Sequence, residues 1–329
     1  MNRELSLVLG AGQVGPMVAE RLLEAGQRVR IGRRQAVPSR VEGVENVAVD
    51  VRDAAAVARA AEGAGVVYHC VNPLYHQWPE MLLPMTRGIV EGTARAGARL
   101  VVLDNLYMYG DTSHMTEDSP MAPVSKKGAL RVQAAELLLE ADAAGRVPVA
   151  IGRAADFFGP HTPMSMVLGA QFFPRVLAGK SALFFGDPDQ LHSYSYTPDV
   201  AAGLVALGAG AARGVWMLPV QPAETTRAVL ARFGQALGAD VKVSRVPVWV
   251  LRAAGIFWRT GAEIAEMTYQ WQQPYVLDDA RIRSRFGLAP TPWDEAVATT
   301  VAWGRTEYGA RLPQGNGDEV GAVRRDHAA

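Results

Sequence analysis

The chain has 329 residues, 49% of them hydrophobic, with 33 basic and 33 acidic side chains. That is enough chain for a sizeable core and too much for one small compact unit, so a large domain with an appended lobe is expected. The balanced charge leaves no electrostatic footprint for nucleic acid or an anionic membrane surface.

The first apolar run, Leu5 to Leu9, reads as a buried strand ending at Gly10. It is too short for a signal peptide or a membrane span, which points to a cytoplasmic protein. Val14, Val18, Leu22 and Leu23 then recur at helical spacing from Gln13 to Ala25, and Gly26 stops the helix. Strands follow at Arg28–Ile31, Val47–Val49 and Val66–Cys70, with an alanine-rich helix at Asp53–Ala61 between the last two. The single cysteine, Cys70, permits no intrachain disulfide and reads as a packed thiol in a reducing compartment. Pro79 to Ala96 is a long helix in which Pro84, Gly88 and Gly92 suggest a kink or an irregular start. A strand at Leu100–Leu103, a helix at Lys127–Ala144 and a strand at Val147–Ile151 complete the series. Strands alternating with helices imply an α/β fold, a Rossmann-type doubly wound parallel sheet covered on both faces.

Beyond Phe157 the alternation becomes irregular and Pro, Gly and aromatic residues accumulate; helices are read at Thr225–Leu237, Pro247–Trp258 and Pro292–Tyr308. The expected organisation is a cofactor domain over residues 1–156 and a smaller C-terminal substrate lobe over 157–311, some of whose segments return to the first domain. The polar tail 312–329 is expected to be disordered.

Gly10-Ala11-Gly12-Gln13-Val14-Gly15 is a GxGxxG between a strand and a helix, the context in which that pattern binds a dinucleotide. Gly10 permits the tight turn, Gly12 lets a pyrophosphate approach the backbone, and Gly15 lets helix and strand pack closely. At the end of the second strand stand Arg33 and Arg34, with no carboxylate to bind ribose hydroxyls. Two guanidiniums suit a 2′-phosphate, so NADP(H) is preferred and NAD(H) is the alternative. Solvated surface arginines are the bland reading of the pair. By position in the fold, Asp50 and Val51 would meet the adenine, and Val71, Asn72 and Pro73 would pass beneath the adenosine.

With these segments in view, the chain resembles the extended branch of the short-chain dehydrogenase/reductase superfamily, the NAD(P)-dependent epimerases and dehydratases. Asn105-Leu106-Tyr107-Met108-Tyr109-Gly110 is similar to the family's Ser-x-x-Val-Tyr-Gly, and Arg153 to Pro160 to its Arg-x-x-Asn-x-Tyr-Gly-Pro. Ser193 to Val200, Phe286-Gly287 and Pro290-Thr291 also follow its pattern. The resemblance implies a small-molecule substrate and a homodimer. It also implies a catalytic Tyr and Lys four residues apart with a helping Ser. Aligning through Glu136 puts Gly128 in the tyrosine slot, Val132 in the lysine slot and Asn105 in the serine slot, so the chain resembles an atypical member. His192 stands where relatives often carry an arginine for a substrate diphosphate. Phe172, Phe173, Phe184, Phe185, Trp258, Tyr269 and Trp271 give the lobe an apolar character that suits a smaller or more apolar substrate.

Chemistry must then come from other groups. Tyr107 and Tyr109 lie at the carboxyl edge of the sheet, where a phenol can donate to a developing oxyanion. Asn105 could polarise a carbonyl, and Asp156 could order the nicotinamide amide. Lys127 and Arg131 are four apart on the helix that usually carries the catalytic pair, one position before the standard slots. A solvated basic face is the alternative reading of those two. No spacing of His, Cys and carboxylates suggests a metal site. Three functions fit this sequence: an NADPH-dependent oxidoreductase for a carbonyl or enone, an epimerase, isomerase or dehydratase that recycles its cofactor, and a non-catalytic NADP(H) sensor.

Overall fold

The computed structural model describes residues 4–254 and 259–309; Trp258 and the tail expected from residue 312 lie outside them. Strands β1 (Leu5–Leu9), β2 (Arg28–Arg33), β3 (Glu45–Ala48), β4 (Ala64–His69) and β5 (Arg99–Asp104) form one parallel sheet with strands Val149–Arg153 and Gly214–Met217. The spatial order is Gly214–Met217, Val149–Arg153, β5, β4, β1, β2, β3. Helices α1 (Gly15–Glu24), α2 (Ala54–Ala60), α3 (Trp78–Arg95) and α4 (Lys126–Ala143) make the crossovers. This is a Rossmann-type α/β fold.

The two-residue period of a strand sorts its side chains onto two covered faces. Leu5, Leu7, Leu9, Leu100, Val102 and Ile151 join Val57 of α2, Met85 and Ile89 of α3 and Leu138 of α4 in one core. Val8, Ile31, Val66, Val101 and Ala150 join Val18 and Leu22 of α1 in the other, together with Val200 and Leu204 of the helix Thr197–Ala209. Each fully buried Val, Leu or Ile contributes roughly 1.5–3 kcal/mol, which is why both faces resist polar substitution.

The strand Gly214–Met217 is not read from the sequence. It is four residues long, pairs with only one neighbour, and is fixed by its register against Ala150–Arg153. Strand order reverses between β1 and β4, so a crevice opens outside their carboxyl ends. The lobe has its own aromatic core, in which Phe172, Phe173 and Phe184 pack with Phe158, Phe233 and Trp293. Those three phenylalanines are therefore structural and do not form walls of a substrate pocket. Phe185 packs against a separate small cluster made by Leu251, Ile264 and Ala265. Among the described residues no helix is long and apolar enough to cross a membrane.

Candidate active site

The turn after β1 is built as the glycine pattern requires. Gly10 takes a left-handed φ of +104°, and a side chain there would meet the Cys70 carbonyl at 2.9 Å. A Cβ at Gly15 would come within 1.9 Å of the Gly10 carbonyl, whereas one at Gly12 would meet nothing within 4 Å. The open space over Gly12 lies at the start of α1, whose N-cap residue Val14 makes no side-chain cap and whose first turn carries no acidic residue. Free amides and the positive end of the helix are thus presented to an anion. The Gln13 side-chain oxygen accepts from the Met164 amide at 2.8 Å and ties this turn to the lobe.

Arg33 donates to the Val37 carbonyl, and Arg34 is exposed beside it. Arg52, which sequence reasoning passed over, clamps Asp50 at 2.7 Å and, with Arg34 helping, holds its carboxyl below the usual range. The rim at β2 and β3 therefore carries three guanidiniums against one carboxylate. Val51 is buried. His69 closes β4, and its Nδ1 accepts from the Val71 amide at 3.2 Å, which shapes the Val71–Asn72–Pro73 segment. Burial, reinforced by the Arg131 charge, lowers His69 to about 3, so its ring is neutral. Burial likewise pushes the Cys70 thiol up to about 12, so it is no nucleophile.

At the same sheet edge the structure gathers phenols. Tyr107 Oη stands 2.5 Å from Tyr75 Oη, and both rings pack on Trp78. The Asn105 side chain accepts from the Tyr107 amide at 3.1 Å, so it braces the Tyr107 backbone. Burial raises the pKa of both phenols above the ordinary tyrosine value, and for Tyr107 the neighbouring Tyr75 and Asp156 add to the rise. Tyr275, 1% exposed, holds a buried hydroxyl with no hydrogen-bond partner. Its ring stacks on His192, whose Nε2 lies 3.0 Å from Asp156 Oδ2, and Trp271 donates to the same oxygen at 3.1 Å.

The standard acid slot is closed. A Cβ at Gly128 would sit 2.5 Å from the Tyr107 carbonyl oxygen and 2.9 Å from the Pro123 side chain. Lys127 and Arg131, by contrast, are buried at 3% and 8% exposure, so they are not a solvated face. Arg131 donates to Asn72 Oδ1 at 2.6 Å and to Asp104 Oδ1 at 3.2 Å, and lies 4.2 Å from the Trp78 ring centroid. Lys127 pairs with Glu266 at 2.6 Å and with Glu263, both on the lobe helix Arg259–Met267. Its ammonium is committed to those carboxylates, which corrects its reading as a catalytic group. Tyr109 is also corrected: it is sealed in the core, accepts from Arg153 and lies under that guanidinium, 4.9 Å from the ring centroid. Tyr75 and Tyr275 carry no pattern that singles them out; the usable signal was only the position of Tyr75 just past β4, at the binding edge. Among the described residues no group of three or more His, Cys, Asp or Glu could hold a metal ion.

The fold and this edge define a member of a dinucleotide-linked class of α/β proteins. Residues 6–215 match the model of the NAD dependent epimerase/dehydratase family, and the chain belongs to that family. It is 22% identical over 306 residues to 3beta-hydroxysteroid-dehydrogenase/decarboxylase isoform 2 of Arabidopsis thaliana, covering 78% of this chain and 51% of that protein. The chain thus spans about half the length of that relative. Among solved structures it superposes on the dTDP-glucose 4,6-dehydratase DesIV of Streptomyces venezuelae with a TM-score of 0.75 and 21% identity, over 93% of this chain and 98% of that one. The UDP-glucuronic acid 4-epimerase of Bacillus cereus gives a TM-score of 0.75 at 15% identity, over 92% and 99%.

Proposed function

We propose that the chain is an NADPH-preferring oxidoreductase that reduces the carbonyl or enone of a small or apolar substrate, using a tyrosine pair in place of the usual Tyr and Lys. The observation that carries this reading is the exchange at one sheet edge. The Gly128 slot is closed by the Tyr107 carbonyl, while Tyr107, Tyr75 and an unpartnered Tyr275 hydroxyl gather there. The name of the Arabidopsis relative, a hydroxysteroid dehydrogenase/decarboxylase, supports an apolar alcohol–ketone couple.

The turn from Gly10 to Gly15, with Gln13 and Val14, would hold the cofactor pyrophosphate at the start of α1. Arg33 and Arg34 would take the 2′-phosphate. Asp50 and Val51 would border the adenine, Val71, Asn72 and Pro73 would floor the adenosine, and Asp156 would face the nicotinamide end. The bound dinucleotide supplies the reducing equivalents. Tyr107 hands its proton to the reacting oxygen, Tyr75 holds that hydroxyl in place, and Asn105 fixes the backbone behind it. No neighbouring cation lowers the Tyr107 pKa; burial raises it, so the phenol is protonated at neutral pH but is a weak acid that gives up its proton only as charge develops on the reacting oxygen. Trp78 stacks on the Tyr107 ring and the Tyr269 hydroxyl bonds the Tyr107 carbonyl, which shields the phenol from water.

A second reading, an epimerase or dehydratase that recycles its cofactor, is favoured by the family match and the two solved neighbours. The test follows NADPH absorbance across ketones, aldehydes and enones, after NADPH and NADH affinities have been compared by titration. Expected are tighter NADPH binding and net oxidation of NADPH. Product without net oxidation would favour the second reading, and binding without any chemistry would favour a sensor. Tyr107→Phe is expected to lower kcat about 100-fold with cofactor affinity unchanged; full activity in that variant would refute the assigned donor.

A further inference from the structure

The lobe helix Arg259–Met267 places Glu263 and Glu266 three residues apart, so both carboxylates project from one face. Like charges so placed repel unless a cation stands between them. Lys127, in the first turn of α4, supplies it with an ammonium that touches both. Glu266 also accepts from the Lys127 amide at 3.0 Å, so one carboxylate binds this residue at its backbone and at its side-chain tip. Burial opposes the charge on Glu266, but the bonds from Lys127 outweigh it and hold the carboxyl below its ordinary value.

The clasp is connected to the phenols. The Lys127 ammonium lies 5.3 Å from the Tyr75 ring centroid, and Tyr75 is the partner of Tyr107. The turn that continues the lobe helix, Thr268–Trp271, carries Tyr269, whose hydroxyl donates to the Tyr107 carbonyl at 3.4 Å. Elsewhere Ile264 and Ala265 of this helix pack with Leu251, Met166 and Phe185 in a small cluster separate from the main aromatic core of the lobe. The helix also lies beside the turn Tyr75–Gln77, and its ties to α4 run through the bonds of Lys127 with Glu263 and Glu266.

We propose that Lys127 is a positioning residue: it clasps the lobe helix over the Tyr75–Tyr107 pair and so closes the substrate side of the crevice. The proposal rests on the oxidoreductase reading only in naming that crevice. Breaking a buried pair by removing one partner leaves uncompensated charge, and here Lys127→Met leaves two carboxylates facing each other. The helix is then expected to lift while the dinucleotide turn at α1 stays intact.

Amide hydrogen exchange of residues 261–271 reads the lifting directly. In Lys127→Met, exchange there is expected to rise about tenfold or more with exchange across β1–β5 unchanged. NADPH affinity is expected to stay within about twofold, and KM for a turned-over substrate to rise more than kcat falls. Lys127→Arg restores the protection. Glu263→Gln, which leaves one ion pair standing, gives a smaller rise and serves if the methionine variant does not fold. Unchanged exchange at 261–271, or a parallel loss across β1–β5, overturns the proposal. If the wild type binds no dinucleotide yet Lys127→Met still frees residues 261–271, the clasp stands and the oxidoreductase reading falls.

Discussion

At position 128 the first turn of α4 approaches the Tyr107 carbonyl so closely that the missing side chain is part of the packing. Adding even a methyl group would put a carbon 2.5 Å from that oxygen, against backbone that cannot swing aside. Gly128→Ala is accordingly expected to destabilise the protein by about 1–3 kcal/mol despite its better helix propensity, as read by urea denaturation. A neutral or stabilising result would mean that the helix and the Tyr107 turn separate easily. The substituted slots at Gly128, Val132 and Asn105 were legible in the sequence, because alignment alone exposes a missing side chain. What replaces them was not. Lys127 and Arg131 look like a solvated pair until the lobe helix and Trp78 cover them, and that cover comes from segments as far as 139 residues away. Tyr75 is in the same position: nothing local marks it, and its role follows from meeting Tyr107 across 32 residues.

At the scale of an element, α3 is the instructive case. Pro84, Gly88 and Gly92 suggested a kink or an irregular start; Trp78–Arg95 runs as one helix, and its start is irregular, entered through the 3-10 turn Tyr75–Gln77. Pro84 lies on its exposed side, where water can satisfy the carbonyl left without a donor. The glycines face inward. A Cβ at Gly88 would lie 2.4 Å from the Val51 carbonyl and one at Gly92 2.5 Å from Val57 Cβ, so they let α3 sit against α2 and the loop before it. Gly92→Ala is expected to cost about 1–2 kcal/mol by overpacking, the helix gain notwithstanding, while the exposed Glu91→Ala stays within about 0.5 kcal/mol. Matched urea curves decide it, and an unchanged Gly92→Ala midpoint would show that α2 and α3 have room to spare. The strands β1, β4 and β5 were readable because burial on both faces writes a continuous apolar run. The strand Gly214–Met217 and the two-residue strands of the lobe, such as Leu191–His192, have no such run and take their form from distant partners.

For the whole molecule, the buried ring of His69 ties stability to pH. It sits at the end of β4, accepts a bond from the Val71 amide in the segment that follows, and lies near the Arg131 charge, so the folded state keeps it neutral down to about 3. In the unfolded chain an ordinary histidine takes up its proton near pH 6.5. Between those values the unfolded state binds more protons, so lowering the pH from about 6.5 favours unfolding by up to roughly 1.4 kcal/mol per pH unit from this residue alone. His161, also lowered by burial, adds in the same direction; the carboxyls of Asp199 and Asp279, raised by burial, act with the opposite sign as they approach protonation. A window from pH 6.5 to 5 therefore isolates the histidines best. Urea denaturation across it should show stability declining in the wild type and a slope smaller by about one proton in His69→Gln, whatever that variant loses in absolute terms. Parallel slopes would mean that His69 accepts its proton in the folded state, and with it that the Val71–Pro73 floor is reshaped rather than held when the solution turns acid.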